Sequence, residues 1–126
     1  MAKINPNLDI MIGVPSDPLP ESVSEEIASI IRMIPEIHFA FLPELFIPGK
    51  MEEPESVLIL VTSLRGKELD MITARLNEEI AKLLPDGVSI GLTTLEPDHE
   101  LIPPVIETGC LIEINDHKVF ERCNNL

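Results

Sequence analysis

Two stretches of the chain carry apolar residues at helical spacing. In "ESVSEEIASIIRMI", Val23, Ile27, Ile30, Ile31 and Ile34 fall at i, i+4, i+7, i+8 and i+11 and make one face. Ser22 and Glu25 stand at capping-box spacing, which predicts a helix start at Ser22. Pro35 lacks the N–H that a continuing helix needs and disfavours helical geometry at Ile34, so the helix should stop there. In "GKELDMITARLNEEIAKLL" (66–84), Leu69, Ile72, Leu76, Ile80 and Leu83 repeat the pattern, with Glu68, Arg75, Glu78, Glu79 and Lys82 on the other sides. "PDG" (85–87) ends this helix with a proline and a glycine able to take positive φ.

Between the helices the period changes. "LDIMIGV" (8–14), "EIHFAFL" (36–42), "SVLILVTS" (56–63) and "VSIGLTTL" (88–95) predict strands. The third is apolar on both faces, as a central strand should be. "PELFIPGKMEEPE" (43–55) predicts a long connection with a bent strand continuation through Leu45, Phe46 and Ile47. Beyond residue 95, a helical turn is expected beside Pro103 and Pro104, and "CLIEI" (110–114) predicts a last short strand. Val119 and Phe120 stand as an isolated apolar pair in a polar tail, which either packs back or frays.

This order is β-α-β twice, over about 8–42 and 56–95. The echo of "SEEIASIIRMIPE" in "NEEIAKLLPDG" marks two helix-to-strand corners. The expected fold is α+β and ferredoxin-like: a split β-α-β repeat, an antiparallel sheet and both helices on one face. A single domain 1–126 is expected, with its core at 8–95 and a C-terminal appendage at 96–126.

Such a fold leaves one sheet face uncovered. If Ile37, Phe39 and Phe41 face the helices, then His38, Ala40 and Leu42 face outward. Leu58, Leu60 and Met11 join them at one parity of the neighbouring strands; at the other, Val57, Ile59 and Val61 or Ile10, Ile12 and Val14 would. Monomers rarely leave such an apolar patch in water. The tail, a second copy of the chain or a protein partner would each cover it.

The 22 acids and 9 bases give a net charge of −13, which repels phosphate backbones and anionic lipid. Four Phe without Trp or Tyr offer little surface for base stacking. Nucleic acid and membrane are therefore not expected as partners; a homodimer or a protein partner of basic character is. The loop acids Glu52, Glu53 and Glu55 are a candidate docking site for such a partner, against the simpler role of a solvated loop. "MAKINPNLD" has no apolar leader run, and no stretch reaches the roughly 18 apolar residues of a membrane span, so a cytoplasmic protein is expected. Cys110 and Cys123 are then expected as reduced thiols, with a disulfide between them as the alternative.

No phosphate loop, dinucleotide fingerprint, nucleophile elbow or paired Cys or His ligand motif occurs. His38 reads as a structural strand residue. His99 and His117 have acidic neighbours but no second well-spaced ligand. No catalytic, cofactor or metal residues are assigned, and a non-enzymatic protein is expected.

"IGVPSDPLPE" before the first helix, "IPEIHFAFLPE" after it, "SVLILVTSLRG" and "LLPDGVSIGL" resemble the C-terminal domain of the SseB (enhanced serine sensitivity) family, over about residues 9 to 114. The resemblance carries no catalytic residue. It implies a role through protein–protein contact, regulatory or immunity-like, or alternatively the sensing of a small amino acid such as serine.

Overall fold

A computed structural model describes residues 2–5, as backbone, and residues 10–124. Its elements are β1 (Ala2–Asn5), β2 (Ile10–Gly13), α1 (Glu21–Arg32), β3 (Ile37–Phe41), β4 (Glu44–Phe46), β5 (Glu55–Thr62), α2 (Gly66–Leu83), β6 (Gly91–Leu95), α3 (Ile102–Glu107), β7 (Leu111–Ile114) and α4 (His117–Asn124). The strands form one sheet in an α+β fold. Residues 8 and 9 of the first expected strand lie outside the described residues.

The predicted bend after residue 42 is present. β3 and β4 lie on the same edge of β5 in one register: Phe41 faces Ile59 and Glu44 faces Ser56. The Val57 N–H donates to the Pro43 carbonyl at 2.9 Å between them, so the ladder continues through the proline. Proline costs one ladder bond there, since it has no N–H to return to β5, and it sits at the bend between β3 and β4 where the strand is interrupted. β2 and β7 share the opposite edge of this bent strand, β2 against β4 and β7 against β3, both antiparallel. β1 closes the outer edge of β2 as an antiparallel neighbour.

The order differs from a split β-α-β repeat. In the second unit β5 and β6 are direct parallel neighbours over five consecutive pairs, with α2 as the crossover between them and no strand inserted. In the first unit β2 pairs antiparallel with β4 rather than beside β5. The long bent strand takes one edge of β5, and β6 takes the other.

Helix α1 begins at Glu21, one residue before the expected Ser22, and no side chain caps it. Pro20 has φ −52° and ψ 142°, and its carbonyl accepts from the Val23 and Ser24 N–H groups. That backbone cap leaves the Ser22–Glu25 capping box unused. Helix α2 matches its expected span and is followed by Gly87 at φ 80°. In α3, Pro103 and Pro104 sit in the first turn, where their missing N–H groups have no helical acceptor to lose.

The core has a layer on each side of the sheet. Helices α1 and α2 cover Ala40, Leu42, Leu58 and Leu60 with Ile27, Ile31, Leu76 and Ile80. The other layer joins Phe39, Phe41, Val57, Ile59 and Val61 to Ile102 and Val105 of α3 and Val119 and Cys123 of α4. Phe39 packs edge-to-face on Phe41 and Phe120, with ring centres 5.5 and 5.2 Å apart. The appendage thus supplies half of a core layer.

Candidate functional site

The expected open face is closed, and on the other side from that expected. Ala40 and Leu58 are fully buried, and Leu42 and Leu60 nearly so, beneath α1 and α2. The face opposite them is covered by α3 and α4 of the same chain. The misassigned parity has a local cause. The β3–β5 register slips between Ile37 (facing Thr62) and Phe39 (facing Val61), a bulge at His38. Ile37 therefore shares a layer with Ala40 and Leu42, whereas Phe39 and Phe41 point the opposite way. Met11 is half-buried in β2 opposite Phe46.

His38 gathers residues from three parts of the chain. Its Nε2 lies 2.9 Å from the Ser63 hydroxyl and its Nδ1 lies 3.7 Å from an Asp116 carboxylate oxygen. Its backbone carbonyl accepts from the Asn115 and Asp116 N–H groups at 2.8 and 2.9 Å. Serine, histidine and aspartate follow the order of a nucleophilic triad, a grouping that spacing alone did not reveal. The 3.7 Å gap is too long for the hydrogen bond that would orient the imidazole, and leaves Nδ1 buried without a bonded partner. Ser63 is exposed at the end of β5 and lines none of the four cavities described on this molecule. The cluster ties β3, β5 and the start of α4 together. Beside it, the Asn115 amide donates to the Ile31, Ile34 and Ile37 carbonyls at 2.8 to 3.0 Å, closing the C-terminal end of α1.

Strand β6 is different. Among the described residues its backbone pairs only with β5, and nothing bonds its outer edge. "GLTTL" has no charge, proline or bulge, the usual devices that discourage another strand from adding to an edge. A cavity flanks β6 on each face of the sheet. Toward α2, about 190 Å³ is lined by Ile80, Ala81, Leu84, Val88, Ile90 and Leu92, with Asn77, Ser89 and Gly91. On the α3 side, about 190 Å³ lies among Ile12, Leu45, Val57, Ile59, Leu95, Leu101, Val105 and Thr93. An apolar cavity of about 150 Å³ holds a benzene ring, so each has room for one large apolar side chain.

Acids stand at both ends of this edge. Residues 84–116 hold seven acids and neither Lys nor Arg. Asp86 precedes β6, and Glu96, Asp98 and Glu100 follow it; Asp86, Asp98 and Glu100 are exposed. Glu96 pairs with Arg65 at 2.7 Å. Because β5 and β6 are parallel, Glu55 at the head of β5 lies at the end of the sheet where β6 begins. Glu52 and Glu53 are exposed in the turn before it. The candidate acidic loop thus stands at the end of the sheet where β6 begins, on the β4 side of β5.

The two cysteines are free thiols in separate places. Cys123 is buried, 3.2 Å from the Pro97 carbonyl, and burial pushes its thiol above the ordinary range against a smaller opposing effect of Arg122. His99 Nδ1 accepts from the Leu101 N–H, and His117 is exposed at the start of α4. Among the described residues no group of three or more His, Cys, Asp or Glu is placed to hold a metal, and no helix is long and apolar enough to cross a membrane. No protein-family model, curated protein or solved structure matches the chain.

Proposed function

We propose that the chain is a non-catalytic protein-binding module of SseB type, regulatory or immunity-like, whose docking surface is the outer edge of β6. The observation that carries this is the unpaired, uncharged edge strand with an apolar cavity on each face. An extended segment adding to such an edge gains backbone hydrogen bonds from the ladder, while its alternate side chains enter pockets on opposite faces. The SseB resemblance supports a role through contact rather than catalysis. The sheet faces supply no such surface, since each is covered by helices.

Sensing of a free amino acid has less support. A bound zwitterion needs a cation for its carboxylate and an acid for its ammonium group. Both cavities beside β6 are lined by apolar and neutral side chains, whereas a cavity of about 240 Å³ among Pro97, Asp98, Arg122 and Cys123 carries one acid and one cation and is the place where such a ligand would be sought.

Selection of linear peptides from a displayed random library tests the docking role. The expected result is a set of binders that protect residues 91–95 from amide exchange and lose binding in Thr93→Lys, which places a charge on the edge at an exposed position beside the α3-side cavity. Binders that protect other strands and tolerate Thr93→Lys would overturn it.

A further inference from the structure

We propose that the segment docked on β6 is a short extended strand of alternating apolar residues bracketed at both ends by Lys or Arg, supplied by another protein. It rests on the proposed docking role of that edge and adds the chemistry of the occupant.

The five residues of β6 span about 17 Å, enough to pair with five or six residues of a partner. Side chains of an added strand alternate between the two sheet faces, so apolar residues at every second position enter the α2-side cavity while the residues between them lie beside Thr93 on the α3 side. Val88, a large exposed apolar residue, lies at the mouth of the first, and half-buried Leu95 lines the second. Beyond the cavities the charge is negative in both directions. Glu55 and Asp86 stand at the starting end, and Asp98 and Glu100 at the finishing end. A basic residue at each end of the added strand meets these acids whether it runs parallel or antiparallel to β6.

The same charges argue against a second copy. Two-fold pairing of β6 with β6 is antiparallel, which would set the Asp86 end of one chain beside Asp98 and Glu100 of the other. Acid would face acid at both ends, between chains that each carry −13. At the finishing end Arg65 is already engaged by Glu96, and Arg122 shares a cavity wall with Asp98, which leaves Glu100 as the acid there without a cation beside it among the described contacts.

Three synthetic peptides test the inference, KVTLTVK, QVTLTVQ and EVTLTVE, titrated into the full chain and followed by amide shifts and exchange. KVTLTVK is expected to bind at β6 about tenfold or more tightly than EVTLTVE at low salt, with QVTLTVQ between them. The gap should narrow several-fold at about 0.5 M salt, where exposed charges are screened. Ala81→Trp, which fills the α2-side cavity from an exposed position, should weaken KVTLTVK at least several-fold while circular dichroism stays unchanged. Equal binding of all three peptides at β6 would overturn the charged bracket and leave the docking edge standing. Failure of all three to perturb residues 91–95 would overturn both. A concentration-dependent dimer that Thr93→Lys dissociates would overturn the hetero-partner in favour of self-pairing.

Discussion

The two outer edges of the sheet are finished differently. On one side, β1 pairs along β2, and α1 lies against β7 with the Arg32–Glu113 ion pair and the Asn115 amide spanning the gap. On the other, β6 ends the sheet with no strand or helix along its outer backbone among the described residues. Both edges are made of short, apolar-rich strands, so local sequence does not separate them. What separates them is the company the rest of the chain supplies. An edge with no strand or helix along it, in a protein that fastens its β7 edge to α1, is the natural place for a partner.

The sharpest way to break the comparison is to remove the fastening of the closed side. Asn115→Ala removes the side-chain amide from the Ile31, Ile34 and Ile37 carbonyls, the first two of which keep a backbone N–H donor, and should cost about 1–2 kcal/mol in urea unfolding. A loss below about 0.5 kcal/mol would mean that the closed edge does not depend on it. Arg32→Ala should cost less, roughly 0–1 kcal/mol, because the guanidinium is 62% exposed and its pairing with Glu113 is solvent-screened. On the open side, Thr93→Lys should change stability by no more than about 1 kcal/mol, since the threonine is exposed at the rim of the α3-side cavity and a lysine there can reach water. A large loss there would show that β6 carries structural load.

Two smaller effects sharpen the assignment of roles. A fluorophosphonate probe should not label Ser63 above the level of a Ser63→Ala control, because His38 is not held by Asp116. Selective labelling of Ser63 would instead make that cluster a nucleophilic site. Cys123 should react with iodoacetamide more slowly than Cys110 at pH 8, because burial keeps it protonated. A raised thiol pKa in the folded state contributes stability that is complete below the ordinary value near 9.0 and is lost as pH rises through the folded value. Cys123→Ser should therefore flatten the alkaline decline in melting temperature.

The helices were legible because Val23 to Ile34 and Leu69 to Leu83 keep a helical period, and β5 because its apolar run is too short and β-branched for a helix. The bend at Pro43 was legible from the prolines and the apolar residues after them. Face assignment failed at one residue, since a bulge at His38 reverses the alternation of everything after it and adds no distinctive residue type. The strand order failed because β2 and β7, about a hundred residues apart in the chain, share one edge of the same strand. Long-range pairing of that kind is set by packing, not by local propensity. The acids Glu52, Glu53 and Glu55 were visible as a docking loop. That they share the end of the sheet where β6 begins became visible only once β5 and β6 were known to be parallel.

The most direct measurement is amide hydrogen exchange of the full chain with and without KVTLTVK. Slowed exchange confined to residues 91–95, with β7 unchanged, is the result that an open β6 edge and a closed β7 edge predict. Protection of β7 or β2 with β6 unaffected would contradict it.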